Sequence, residues 1–293
     1  MVRHGVGLSA KLCSFFCLHL MKITFLGGGN MANALIGGLR KQGFSAAAIQ
    51  VIEPLAENRE KLAATFGVRC CPTADAAALN CEVLVLAVKP QQMREAMSPL
   101  AGRLQNTLVI SIAAGLRLTD LARWLGGHRQ LVRCMPNTPA LIGAGVTGLY
   151  ADPAVNREGR DVAEKILRAV GSTLWLQDEA QMDAVTAISG SGPAYVFYFI
   201  EALQQAGVEL GLDVATARRL AVETFVGAAH LAEQSKEEVA LLRQRVTSKG
   251  GTTAAALDAF AASGIAQAIV QGAQAAAIRG RELGEEMGKE GKE

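Results

Sequence analysis

Three sets of residues in this 293-residue chain have the types and spacing for chemistry. The first is Gly27-Gly28-Gly29-Asn30-Met31-Ala32, a G-x-G-x-x-A run between an apolar strand-like stretch and a helix-like one. Gly27 allows a tight turn there, Gly29 lets a pyrophosphate approach the backbone, and Ala32 permits helix to pack on strand. Glu53 follows about 20 residues on, at the end of the next strand, where an acid holds ribose hydroxyls and repels a 2′-phosphate. Arg59, a helical turn or so further on, can offset that repulsion, although a solvated helix face is its plainer reading. In this register a dinucleotide site explains more than a bare glycine turn does.

The second set comprises loops at successive strand ends: Ala87-Val88-Lys89-Pro90, Ile112-Ala113-Ala114-Gly115 and Met135-Pro136-Asn137-Thr138-Pro139. Each alone is a turn with Pro or Gly. Together they line the crevice of a doubly wound sheet, with Asn137 offered to the nicotinamide amide or the substrate. The third is Val246-Thr247-Ser248-Lys249-Gly250-Gly251-Thr252-Thr253 between two helical patterns. Donors at Ser248, Gly250, Gly251, Thr252 and Thr253 at a helix N-terminus make an anion nest suited to a carboxylate. An ordinary helix cap explains one or two of these residues, not the run. Ser189-Gly190-Ser191-Gly192-Pro193 is a second small-residue elbow.

What is missing discriminates too. Oxidising an alcohol needs a positioned proton acceptor. His4 and His19 lie near the start, His128 sits beside a glycine turn, and His230 falls late in a helix. Lys249 reads more plainly as solvated. A protonated C=N bond is already electrophilic, so its reduction needs orientation plus one hydrogen bond to nitrogen. The Thr253 hydroxyl would serve.

The elements that position these residues follow from periodicity. Apolar runs at 22–26, 49–53, 82–88, 107–112 and 130–135 read as strands, with helices from Gly29 to about Arg40 and over 57–66. Edge strands at 146–150 and 173–176 flank a helix near 156–170. Strand signals then stop, and helices are expected from Pro193 (with Ser191 as cap) and over 214–234, 237–245, 253–262 and 265–282. In the last, Gln267, Gln271 and Gln274 form one narrow polar stripe to Ile278, so the helix must be covered nearly all round. Association of subunits is the economical cover, a compact internal bundle the alternative. The expected fold is α/β, a Rossmann-type doubly wound sheet over 21–180 followed by an all-helical domain over 181–283. A charged tail at 284–293 reads as solvated and disordered.

Formal charge is +2 and charged residues make up 19%, so nothing in the balance invites nucleic acid or an anionic membrane. Six cysteines (13, 17, 70, 71, 81, 134) carry no metal-site spacing, so no metal is expected, and a reducing cytoplasm is the plain reading. Cys70 and Cys71 fit a buried strand. No apolar run reaches the length of a membrane helix. Arg3, His4 and Lys11 before the apolar Leu12–Leu18 stretch look like a short signal peptide, but no cleavage site or spacer separates it from Met21. Residues 1–20 therefore read as an upstream start or a disordered extension.

Phe25-Leu26-Gly27-Gly28-Gly29-Asn30-Met31-Ala32, Ala87–Pro90, Met135–Pro139, Ser189–Tyr195 and Val246–Thr253 together resemble the pyrroline-5-carboxylate reductase family, over about Met21 to Leu283. The resemblance implies reduction of (S)-1-pyrroline-5-carboxylate to L-proline, the last step of proline synthesis, with NADPH as donor and NADH as the alternative. It implies a cofactor on Phe25 to Asn30, Ala87 to Pro90 and Ile112 to Ala114. Ser248 and the Gly250–Thr252 backbone would hold the substrate carboxylate, Thr253 the ring nitrogen, and Glu179 would lie near the substrate. It also implies interleaved helical domains forming a homodimer, often assembled into a decamer. Members preferring NADPH usually carry Ser or Thr near the position of Glu53, which bears on donor choice.

Two rivals share part of this pattern. A β-hydroxyacid dehydrogenase would want a lysine base on the first helical segment after the sheet, and 193–212 contains none. A non-catalytic dinucleotide sensor would not need the nest.

Overall fold

A computed structural model describes residues 21–289; the charged and apolar stretch 1–20 and the last four residues of the tail lie outside the described residues. The chain divides into two units, one running up to Gly190 and resuming at Ala277, the other Ser191–Ala276.

The first unit is an eight-stranded sheet. Its strands are β1 (Ile23–Leu26), β2 (Ile49–Ile52), β3 (Arg69–Cys71), β4 (Val83–Leu86), β5 (Leu108–Ser111), β6 (Leu131–Met135), β7 (Gly145–Ala151) and β8 (Gly171–Trp175). Their order is β3-β2-β1-β4-β5-β6-β7-β8. All neighbours pair parallel except β6 with β7, which run antiparallel. The first six strands thus follow the 3-2-1-4-5-6 order of a dinucleotide-binding sheet.

β1, β2, β4 and β5 are buried at every position because alternate side chains feed two cores. Ile23, Phe25, Val83, Val85 and Ile110 enter one; Leu26, Leu84, Leu86 and Val109 enter the other. Each such side chain contributes about 1.5–3 kcal/mol by leaving water. The helix α1 (Asn30–Lys41) buries Ala32, Leu35, Ile36 and Leu39, the i, i+3, i+4, i+7 face that the pattern requires. Around the sheet follow α2 (Ala56–Phe66), α3 (Ala76–Leu79), α4 (Met93–Met97), α5 (Leu118–Trp124), α6 (Arg157–Leu167) and α7 (Gln181–Val185). A π-helical turn, Thr186–Gly190, succeeds α7.

The second unit contains α8 (Gly192–Glu209), α9 (Val214–Gln234), α10 (Val239–Arg245), α11 (Thr252–Ala262) and the first half of α12 (Ile265–Lys289). Asp213 caps α9 through Thr216 N–H at 3.0 Å. No residue of α8, α10 or α11 is buried. Phe197 and Tyr198 stand 65% and 70% exposed, and Val226, Leu231 and Val270 are also open. An internal bundle with its own core is therefore not what these helices form within one copy. Among the described residues no single helix is long and apolar enough to cross a membrane.

Several expectations need correction. Helix α12 does not stop at Glu282 but continues to Lys289, so the tail over 284–289 is ordered helix packed on the sheet unit. Its glycines allow that packing, as described below. Ser191 precedes α8 without a side-chain cap bond, because the π turn leaves it in helical backbone geometry rather than the extended geometry of a cap. Cys70 and Cys71 lie on the edge strand β3, where only Cys71 is buried.

Candidate active site

The glycine loop joins β1 to α1. Gly27 has φ +98°, and a Cβ there would lie 2.8 Å from the Ala87 carbonyl oxygen and from Val88, so only glycine fits. Gly29 is the opposite case: a Cβ would meet nothing within 4 Å, so its face is open for a ligand's phosphates. No side chain caps α1, and Gly29 and Asn30 are exposed, leaving the first N–H groups to an anion. Met31 is half-buried and Ala32 fully buried. Phe25 and Leu26 send their side chains into the cores, so what they offer the loop is the backbone at the strand end.

Glu53, 6% exposed, turns its carboxylate back on the loop. Gly28 N–H donates to Oε2 at 2.9 Å and Leu55 N–H to Oε1 at 3.0 Å. A Cβ at Gly28 would sit 3.2 Å from that Oε2 and 2.6 Å from Leu62, which explains a glycine at the variable position of the fingerprint. Arg59 is not a solvated side chain. Half-buried, it donates through Nη1 to the carbonyls of Glu53 at 2.9 Å and Pro54 at 2.7 Å. A guanidinium therefore stands at the end of β2, while the carboxylate beside it is occupied by N–H groups.

The crevice loops lie at the C-terminal ends of β4, β5 and β6. Ala87, Val88 and Pro90 are half-buried and Lys89 exposed; Ile112 and Ala114 are half-buried and Ala113 is buried. Asn137, 9% exposed, already uses both ends of its amide within the protein. Its Oδ1 accepts from Val146 N–H at 2.9 Å and its Nδ2 donates to Ser189 Oγ at 3.4 Å, so it fastens the Met135–Pro139 loop to β7 and to the π turn. His128 is bonded to the Thr107 carbonyl at the opposite end of β5, away from the crevice.

Glu179 has a structural partner that the sequence reading missed. Arg133, 3% exposed on β6, donates to Glu179 Oε1 at 3.0 Å, and the same oxygen accepts from Leu118 N–H at 2.8 Å. Asp183 Oδ1 lies 3.8 Å from Arg133. With Arg117, Ala180 and Arg281 these residues line a cavity of about 310 Å³. Oε1 of Glu179 is thus committed to a buried guanidinium and a helix start. The signal available was a lone arginine inside the apolar strand Leu131-Val132-Arg133-Cys134-Met135. Burial raises the thiol pKa of Cys134, as it does for Cys70, Cys71 and Cys81, which disfavours the reactive thiolate at each.

In the second unit, the Ser248–Thr253 turn leads into α11. Gly250 has φ +71°, and Gly251 N–H donates to the Ser248 carbonyl at 3.0 Å. Gly251 is therefore spent inside the turn and drops out of the expected donor set. Gly251 precedes α11 with no side-chain cap. Ser248, Thr252 and Thr253 are exposed, and their hydroxyls have no partner among the described residues. Thr247 by contrast is bonded to the Arg243 carbonyl at 2.7 Å.

A doubly wound sheet with an open glycine loop at the start of α1 is the class of fold that binds a dinucleotide. Residues 22–115 match the family model described as NADP oxidoreductase coenzyme F420-dependent, and 179–283 match pyrroline-5-carboxylate reductase dimerisation. The chain is 48% identical over 269 residues to a pyrroline-5-carboxylate reductase of Pseudomonas aeruginosa, covering 92% of this chain and 98% of that protein. It is 45% identical to the one from Haemophilus influenzae, covering 89% and 97%. The solved reductase of Coxiella burnetii superposes with a TM-score of 0.84 at 38% identity, covering 90% and 98%. A Plasmodium falciparum reductase with NADP bound gives 0.81 at 28%, again covering 90% and 98%. The chain belongs to the pyrroline-5-carboxylate reductase family. Its helical unit accordingly serves self-association.

Proposed function

We propose that this chain carries the family's reaction, reduction of (S)-1-pyrroline-5-carboxylate to L-proline in proline biosynthesis, through Thr253 and the turn before it. A nicotinamide cofactor, when bound, would supply the hydride that the imine carbon needs. Thr253 Oγ accepts a hydrogen bond from the protonated ring nitrogen and orients the C=N bond. The Ser248 hydroxyl and the N–H groups of Gly250 and Thr252 take the carboxylate, helped by the positive end of the α11 dipole. No general base is required, since the proton is already on the nitrogen when hydride arrives.

The Gly27–Ala32 loop would hold the pyrophosphate, and Ala87–Pro90 and Ile112–Ala114 would flank the nicotinamide half. NADPH is the preferred donor. Glu53 spends both oxygens on N–H groups, whereas the Arg59 guanidinium keeps donors besides Nη1 for a 2′-phosphate. Arg59→Ala should lower kcat/KM for NADPH about tenfold, on the order of 1.4 kcal/mol, and leave NADH within twofold. Glu179 acts through Arg133 rather than on substrate. The working protein is a cytoplasmic homodimer or a decamer built from it.

The observation that carries this reading is the set of unpartnered hydroxyls, Ser248, Thr252 and Thr253, at an uncapped helix start in a member of this family. Incubating purified protein with racemic pyrroline-5-carboxylate and NADPH or NADH tests it. Cofactor oxidation with proline formed supports the reading, and no oxidation with either donor rejects it.

A further inference from the structure

We propose that the last turn and a half of α12, residues 284–289, is a positioning strap for the cofactor loop Ile112–Gly115. Neither family match covers these residues. The loop has little of its own to fix it: Ile112 N–H reaches the Leu86 carbonyl at 3.2 Å, and Ala113 N–H reaches Ser111 Oγ at a long 3.4 Å. Ile112 packs on the core beneath the sheet, but beyond it the loop has only Ala113, Ala114 and Gly115, so the place of its second half depends on what it leans against.

What it leans against is α12. Gly115 has φ +81°, and a Cβ there would stand 2.9 Å from Met287 Cε and 3.4 Å from Gly284 N. A Cβ on Gly284 would in turn run into the Gly115 carbonyl oxygen. Two backbones therefore meet glycine on glycine. Polar contacts surround the meeting point: Arg117 pairs with Glu285 at 3.4 Å, and Arg123 donates to the Gly288 carbonyl at 2.8 Å. Arg123 also pairs with Asp120 at 2.8 Å, and a Cβ on Gly288 would crowd Asp120. Met287 packs on the same core that holds Ala113, Leu116 and Leu118. The strap thus touches the loop and the helix start that follows it. Met287, Gly284 and Gly288 are positioning residues; none is assigned contact with substrate.

This inference rests on the reading that Ile112–Ala114 contacts the cofactor, so the test separates the two. Five proteins are compared with wild type by NADPH titration, steady-state kinetics and light scattering, well below their unfolding midpoints: truncations after Leu283 and after Lys289, Met287→Ala, Met287→Leu and Ala114→Glu. The truncation should raise the NADPH dissociation constant about tenfold, with kcat at saturation within twofold and the oligomer intact. Met287→Ala should give a smaller rise that Met287→Leu largely restores. Removing only residues 290–293 should change nothing. A truncated protein that melts earlier but binds NADPH as wild type does would mean a merely structural role and would overturn the strap. If Ala114→Glu weakens binding and the truncation does not, only the strap falls. If neither does, the loop assignment falls with it.

Discussion

The sheet unit buries both faces of its central strands, whereas Ser191–Ala276 buries only Ala217 and Ala221 among its described residues. Both are built from apolar sequence, yet one finds its cover inside a single copy and the other does not. The proposed cofactor loops belong to the self-sufficient unit. The proposed substrate turn belongs to helices whose apolar faces stay exposed in one copy. The difference teaches that cofactor binding and substrate binding should respond differently to loss of association.

The largest effect expected from that contrast is on the helical face. Phe197→Glu puts a charge on the exposed apolar face that self-association is expected to cover, and covering an unpaired charge costs several kcal/mol. By light scattering the oligomer should dissociate, and activity should be lost, while NADPH binding to the sheet unit stays within about threefold. Equal loss of cofactor binding would break the comparison. Next is the sheet unit's own weak point. Glu179→Gln leaves the Arg133 charge buried without its closest partner and should destabilise that unit by about 3 kcal/mol. Denaturant unfolding followed by tryptophan fluorescence checks it, and a change under about 0.5 kcal/mol would sink the account of this ion cluster.

The smallest effect concerns pH. The indole N–H of Trp175, at 3.0 Å, and then Arg168 and Thr173 hold the Glu164 carboxyl below its ordinary range. A depressed folded pKa contributes stability that is complete above the unfolded value, about 4.3, and is lost as pH falls through the folded value. Glu164→Gln should therefore flatten the acid limb of the stability profile and leave its dependence at neutral pH unchanged. An unaltered acid limb would remove Glu164 from the explanation.

The sheet was legible because β1, β4 and β5 are continuous apolar runs and α1 has one clean apolar face. The glycine loop was legible because Gly27 and Gly29 sit at strand–helix register. Other features depend on tertiary partners that spacing does not encode. Nothing local distinguishes the Asn137 amide from a ligand-facing one until Val146 and Ser189 arrive beside it. The polar composition of 284–293 suggested solvation, whereas Gly284 and Gly288, one helical turn apart, were the overlooked sign of a helix approaching another backbone closely. Arg133 was visible as a charge in an apolar strand, but its partners come from 46 and 50 residues further along the chain (179 − 133 and 183 − 133).

The central claim is that a single hydroxyl on α11 orients the reacting imine. The direct measurement is the steady-state behaviour of Thr253→Ala beside its NADPH dissociation constant. Loss of one hydrogen bond to the reacting centre predicts a fall in kcat of about a hundredfold, with cofactor affinity unchanged and Thr253→Ser recovering most of the loss. An unchanged kcat together with weakened NADPH binding would contradict it.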